Sequence, residues 1–406
     1  MEFQVDVGVE RRADEFFDRV GRVLRNKKRR ASFAVYAMGL FGDAERKSAE
    51  PIAARACADP DHADAAHQRL LHFLSVSRWS DRDVRREAAC YALDVLTERE
   101  PVQTWIIDDT GFLKQGTHSV GVQRQYTGSA GKVTNCQVGV SLTLATLTEH
   151  LPIDFELYLP RSWTDDRARR REARIPDSVV FKTKPQLALG VLRRAVEDDL
   201  PRGVVLADSG YGNDGAFRAG IRELGLDYAV EVQASTCVYK LDAQGNCRTQ
   251  RRSVRDLATQ LGRRGFRRVT WREGTKKSLS ARFAMRRVVV AHERADGDHR
   301  EHVWLLMEWR DDESKPTKFH LATLPDNLPM KYLVNFVKQR WRTERMYEDL
   351  KGELGLDHFE GRRFPGWHHH VSAVLCCNAF LTSERVRRFP PARTGTPHTR
   401  PLPRAA

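Results

Sequence analysis

The chain has 406 residues, 41% of them hydrophobic and 30% charged, which is the balance of a folded protein and excludes a disordered one. At this length two or three domains are expected. Lys and Arg number 68 against 54 Asp and Glu, and the formal charge of +14 creates a field that attracts polyanions, nucleic acid first among them.

Residues 1–97 read as helical. Ala13 to Val20 and His67 to Val76 place apolar residues at spacings of three and four, and Ser80 offers an N-cap ahead of Asp81 and Asp83. Between them, Arg22 to Arg30 holds six Lys or Arg in nine positions. A basic helical domain here suits DNA binding, although a solvated charged face on a helical cap has the same composition. The first ten residues carry acids and no apolar h-region, so no signal peptide is expected. No run of about 18 apolar residues occurs, so no membrane span is expected and a cytoplasmic protein is.

From Thr104 the pattern changes. Trp105-Ile106-Ile107 reads as a buried strand ending at Asp108-Asp109, and Val120 to Tyr126 and Gln137 to Leu144 read as strands joined through a turn at Gly128 to Lys132. A helix at Pro185 to Val196 precedes a short buried strand, Val204 to Ala207, ending at Asp208. A helix (Ala216 to Leu224) and a strand (Tyr228 to Val232) follow. Residues 233–326 look mainly β, with alternating runs at Arg287 to Ala291 and Val303 to Met307. One long helix is expected from Pro329 to about Leu350 and another from Trp367 to about Leu381. Beyond Glu384 the chain has six Arg, five Pro and no acid, the composition of a disordered tail.

Asp108 and Asp208 each follow a short apolar run. Strands of this kind lie buried at the centre of α/β sheets, and ligands of such sheets gather at the carboxyl ends of the strands. Either aspartate alone reads better as a turn residue or a helix N-cap, and two of them in one chain bring the functional reading level with that one. The third element is the run from Arg340 to Lys351. At ~100° per residue, Glu344 and Lys351 lie on the face of Arg340, within about 40° and 20° of it. One turn earlier that stripe is apolar, with Leu333, Phe336 and Val337. A core-facing stripe that turns to Arg, Glu and Lys needs a reason, because an unpaired buried charge costs several kcal/mol. A salt-bridge ladder on a solvated face is the alternative.

Arg340-x3-Glu344-x6-Lys351 resembles the Y-(2)-R-(3)-E-(6)-K signature of one branch of bacterial insertion-sequence transposases. The flanking run from Glu353 to Arg362 is similar to the same branch. So are Asp108 to Phe112, Gln125-Tyr126, Asn135 to Gln137, Leu159 to Trp163, Lys182 to Pro185 and Ala207 to Gly212. The resemblance spans roughly residues 65 to 380 in order. It departs at one point: the signature Tyr would fall at 337, where this chain has Val337.

The resemblance implies an α/β, RNase H-like catalytic domain (98–232 and 327–383) interrupted by a mainly β insertion (233–326). Periodicity and charge place a helical domain suited to DNA binding (1–97) before it, and composition places a disordered basic Pro/Arg tail (384–406) after it. The resemblance also implies a triad of Asp108, Asp208 and Glu344 holding two Mg²⁺ ions, with Mn²⁺ as a substitute, and DNA-backbone contacts from Arg340 and Lys351. Asp109 competes with Asp108 for the first role; Asp108 is preferred because it directly ends the apolar run and has Thr two places on. Two metals activate the nucleophile and stabilise the leaving oxygen of phosphodiester cleavage, and crowded carboxylates make sense only with cations present. The expected partners are double-stranded DNA (terminal inverted repeats and target) and a second copy in the active complex. A DNA-binding protein that keeps the fold without catalysis, and a related nuclease without strand transfer, are the alternatives.

Four features carry less. His368-His369-His370 on a helix point about 100° apart, so exposed or partly packed rings are expected and not a metal site. Gly210-Tyr211-Gly212 is too short for a phosphate loop. Trp163 reads as a packed indole, with base stacking the less favoured role. The seven cysteines include no C-x-x-C pair and read as reduced thiols.

Overall fold

The computed structural model describes residues 7–389 apart from 243, 273–277 and 292–301. The chain opens with α1 (Val7–Leu24), α2 (Lys27–Phe41), α3 (Ala49–Ala56), α4 (Ala63–Ser75) and α5 (Asp81–Thr97). Asn26 caps α2 by accepting from the Lys28 amide at 2.9 Å, and Ser80 caps α5 through the Asp83 amide at 3.1 Å. Four strands follow: β1 (Thr104–Leu113), β2 (Gln123–Thr127), β3 (Lys132–Ala145) and β4 (His150–Tyr158). Next come α6 (Arg161–Thr164), α7 (Arg167–Ala173), α8 (Lys184–Glu197), β5 (Val204–Ala207), α9 (Ser209–Gly212), α10 (Gly215–Glu223) and β6 (Tyr228–Val232).

β1, β3 and β4 form an antiparallel meander, and β5 and β6 run parallel to β1, giving the order β4-β3-β1-β5-β6. This is the strand order of an RNase H-like fold. β4 went unread in the sequence because Pro152 interrupts it. The proline is tolerated on an edge strand, where the pairing with β3 shifts register between Leu142 and Thr143.

Residues 233–326 do add strands, as their alternation predicts. They are β7 (Cys237–Leu241), β8 (Cys247–Ser253), β9 (Arg267–Arg272), β10 (Leu279–Val290), β11 (His302–Trp309) and β12 (Lys318–Ala322), with α11 (Val254–Leu261) between β8 and β9. They extend the same sheet: β12 pairs antiparallel with β6, so the edge of the parallel strands is covered and the sheet reaches twelve strands.

The chain closes with α12 (Met330–Val337), α13 (Trp341–Gly352) and α14 (Phe364–Arg388). The single helix expected from Pro329 to Leu350 is broken by a 3₁₀ turn at Lys338–Arg340. α14 runs past the expected end at Leu381 and carries the first residues of the predicted tail; residues 390–406 lie outside the described part. The core of α1–α5 is continuous with that of α14, for example through Phe16, Tyr91 and Phe380. No described helix is long and apolar enough to cross a membrane.

The three histidines are the clearest correction. His368, His369 and His370 are all buried in α14. His369 places Nδ1 2.7 Å from the Leu74 carbonyl and Nε2 3.2 Å from the Trp79 carbonyl, and with a single N–H it donates to one of the two; His370 meets the Tyr36 hydroxyl at 2.8 Å and the Gly355 and Leu356 carbonyls at 3.1 Å. Burial keeps both rings neutral, with pKa values pushed down to about 4. They join loops to the helix core, a role that single-helix geometry does not reveal.

Candidate active site

Two successive levels of the sheet build the site. At the lower level Ile106, Leu206, Ala229 and Ala322 are cross-strand partners, one each from β1, β5, β6 and β12. They form an apolar patch that packs against Leu333, Val334 and Val337 of α12. Side chains two residues apart share a face of a sheet. Continuing the same register two residues on therefore aligns Asp108, Asp208, Glu231 and His320 above that patch. Ser141 of β3, the partner of Asp108, joins the row. The helix changes character at the same height: Val337 is buried, and Arg340 and Glu344 come next. The apolar-to-polar stripe expected in the helix is thus matched by one in the sheet beneath it.

Asp108 lies within β1, not at its end. The parallel pairing with β5 stops at Ile106–Leu206, while the antiparallel pairing with β3 continues to Leu113. The Asp108 carboxylate is 13% exposed and pairs with Arg340, Nη1 to Oδ2 at 2.6 Å. Burial, reinforced by Asp208 and Asp109 and opposed by Arg340, raises its pKa to about 7. The Arg340 pKa is also raised: burial opposes its charge, and Asp108, Asp208, Glu231 and Glu344 together outweigh that. The second guanidinium nitrogen lies 3.6 Å from Glu344, whose side chain is 68% exposed. Arg340 therefore stands between the first acid and the third.

Asp208 caps the short helix α9, accepting from the Gly210 amide at 2.9 Å. The N-cap reading of this residue is accurate, and it coexists with a place in the acid row. Gly212 is demanded by the packing. A Cβ there would collide with the Glu231 carbonyl oxygen, so α9 rests directly on β6. Gly212→Ala is expected to lower stability by about 1–3 kcal/mol, the usual cost of overpacking. Gly190→Ala in α8 is the control. Its Cβ would meet only the end of Arg194 at 4.0 Å, and relief of helical glycine should stabilise by about 0.5–1 kcal/mol. Urea unfolding midpoints test the pair; an unchanged midpoint for Gly212→Ala would disprove the close approach.

Asp109 points to the opposite face, as strand alternation requires. There it accepts from Tyr211 at 2.8 Å and from Lys184, the first residue of α8, at 3.2 Å. Lys351 turns back onto β1, where Nζ bonds Thr110 Oγ1 at 2.9 Å and the Gly111 carbonyl at 2.8 Å. Tyr347 seats α13 on the sheet through Ser141 Oγ at 2.6 Å. Trp163 is a packed indole: it is buried, donates to the Val122 carbonyl at 2.8 Å, and lies 3.7 Å beneath the Arg169 guanidinium.

The structure therefore gathers Asp108, Asp208 and Arg340, keeps Lys351 near on β1, and leaves Glu344 on the solvent side of Arg340. Among the described residues no three His, Cys, Asp or Glu groups are arranged to hold a metal ion. Sequence reading missed Glu231. Its signal was the acid in Tyr228–Val232, an otherwise apolar buried strand parallel to the two that carry the aspartates.

The sheet is RNase H-like, with Asp108 and Asp208 just past the last parallel pair of its central strands, an arrangement compatible with the class of nucleic-acid-cutting enzymes. A model of that class, described as "DDE superfamily endonuclease", matches residues 16–278, and this chain belongs to that family. The match spans Asp108 and Asp208 and ends before Glu344. The chain is also similar to a protein from Microchaete diplosiphon described as "Probable transposase for insertion sequence element IS701". The two are 27% identical over 353 residues, 85% of this chain and 80% of the relative.

Proposed function

We propose that this protein is an insertion-sequence transposase that cuts DNA at the ends of its element and joins them to new DNA, using Asp108, Asp208 and Glu344. The observation that carries this reading is that Asp108 and Asp208 each stand two residues beyond Ile106 and Leu206, the last pair of the parallel β1–β5 ladder, with Arg340 bonded to Asp108 and 3.6 Å from Glu344. The similarity to the Microchaete protein supports the same reading.

The donor set suits a hard divalent cation. It is all oxygen, and Asp108 is a buried acid whose pKa is raised to about 7 by burial, with Asp208 and Asp109 beside it adding to the shift. Asp108 and Asp208 would hold Mg²⁺ or Mn²⁺, with Glu344 completing the set from α13. Two such ions supply activation of the attacking oxygen and stabilisation of the leaving one. The protein's own groups do the rest. Arg340 presents a planar, permanently charged fork suited to a phosphate. Lys351, now bonded to Thr110 and Gly111, adds a second cation beside β1. Tyr347 and Ser141 fix α13, and with it Arg340 and Glu344, over the strands. Exposed Arg22, Arg25, Lys27 and Lys28 around the α1–α2 turn give the N-terminal helices a cationic surface for DNA outside the cut site. Binding two ends together would take a second copy of the chain.

Two observations favour a second reading, a DNA-binding protein without catalysis: Glu344 faces solvent, and Arg340 already occupies Asp108. One experiment separates the two. A plasmid bearing the element's own ends is incubated with Mg²⁺, Mn²⁺ or EDTA and wild-type protein or Glu344→Ala. The transposase reading expects metal-dependent cutting at the ends by wild type, none in EDTA, and none by Glu344→Ala despite normal end binding. Wild type that binds the ends and never cuts with either metal would establish the second reading.

A further inference from the structure

The acid row contains a member that the triad does not use. Glu231 of β6 stands one strand beyond Asp208, at the level of both aspartates. Its position is fixed from two sides. Gly212 lies against its carbonyl, and the Gln233 amide two residues on bonds Asn213 Oδ1 at 2.9 Å, so the segment after Asp208 clamps this end of β6. The Glu231 side chain is 21% exposed, and its ion-pair partner is Lys318 at 3.8 Å, too far for a hydrogen bond. A mostly buried carboxylate held this loosely has capacity for a second cation.

The neighbouring cations narrow the choice. Lys338 is committed to buried Glu308 at 2.7 Å. His320, the partner of Glu231 on β12, is buried and neutral, its pKa pushed down to about 3 by burial and by Lys338, Lys318 and Arg340. Arg340 remains. Its Nη1 sits on Asp108 at 2.6 Å, in the same row as Glu231 and two strands away, the charge of Glu231 helps hold its pKa up, and its fork has five N–H donors.

We propose that Glu231 is a positioning residue for Arg340: when Asp108 is engaged by a cation, Glu231 retains the guanidinium over the sheet, from where it meets the DNA backbone. This rests on the transposase reading above, in which Asp108 binds a metal ion and Arg340 contacts phosphate. In that reading Asp208 and Glu344 serve the ion together with Asp108, so without Glu231 a guanidinium released from Asp108 has no uncommitted acid among those that act on it to keep it over the sheet.

The salt dependence of DNA binding tests this without requiring cleavage. Full-length protein is titrated with a duplex carrying the element's end in Ca²⁺, and log Kd is followed against log[KCl]. Each phosphate that the protein no longer neutralises lowers the slope by about 0.9. Arg340→Gln should lower the slope by one such step, Glu231→Gln by the same step, and the double variant by no more than either. Glu231→Asp, which keeps the charge, should recover most of the slope. A wild-type slope in Glu231→Gln, or additive decreases in the double variant, overturns the proposal. If Glu231→Gln lowers the Tm, Glu231→Asp must restore Tm and slope together; Tm returning alone also overturns it. Wild type that binds no duplex would sink the transposase reading and this proposal with it. Wild type that binds and cuts, beside a Glu231→Gln of unchanged slope, would sink this proposal alone.

Discussion

Asp108→Asn is expected to abolish metal-dependent cutting while making the metal-free protein more stable. The amide keeps the shape and can still accept from Arg340, but it is a poor ligand for a hard cation. Losing several kcal/mol of charge stabilisation at the reacting phosphate corresponds to a fall in rate of roughly 10³-fold or more. The stability gain follows from the raised pKa. An aspartate in an unfolded chain titrates near about 3.9, and Asp108 in the fold near 7. Its folded-state preference for the protonated form is fully present below the unfolded value and is lost as pH rises through about 7. The advantage of Asn should therefore be absent at pH 4, grow up to pH 7, and stay constant above that. Plasmid cleavage and thermal melts at pH 4, 6 and 8 check both parts. Normal cleavage would remove Asp108 from the reaction, and a Tm gain of equal size at all three pH values would show that ionisation is not its source. A site that trades stability for function is expected where charges are held ready for a ligand.

Arg340→Gln is expected to change metal binding and catalysis in opposite directions. In the structure the guanidinium is the cation on Asp108, at 2.6 Å. A charge pair at about 4 Å is worth ~4 kcal/mol at an effective dielectric of 20, and an incoming cation must displace it. Removing it should raise the Mn²⁺ affinity of the free protein by about tenfold or more well above pH 7, and by less at neutral pH, where a carboxyl relieved of Arg340 holds its proton more tightly. Cutting should nevertheless fall by roughly 10²–10³-fold, the usual loss when one group that stabilises developing charge is deleted. Arg340→Lys should fall between, because a point charge cannot span Asp108 and Glu344 as a planar fork does. Calorimetric titration with Mn²⁺ and the plasmid assay measure the two effects. An Mn²⁺ affinity unchanged by the substitution would show that the Asp108–Arg340 pair does not compete with the ion.

The sequence by itself determined where chemistry could lie. Trp105-Ile106-Ile107 and Val204 to Ala207 announce central strands because a strand with neighbours on both sides and helices on both faces must be apolar throughout. The acids that follow mark the carboxyl ends of the parallel pairing. The stripe from Leu333 to Lys351 announces a helix that leaves a core and enters a polar site. These signals are local, and the structure reproduces the strands and places the helix over them. The apolar run marks only the part of β1 that pairs with both β3 and β5; the strand itself continues along β3 alone to Leu113.

Tertiary structure decided the rest, because it depends on partners distant in sequence. Pro152 is tolerated only because β4 is an edge strand whose register shifts there. The helix break at Lys338–Arg340 contains neither Pro nor Gly, and it falls where α12 leaves the apolar patch while Lys338 reaches Glu308. The three histidines are buried because α14 is surrounded by α2, α4, α5 and the loop before it, which no count of its own residues reveals. Glu231 looked like one acid in a short strand until β5 and β6 were set in register. Periodicity reports which face a residue takes, but only the register between strands decides which charges meet.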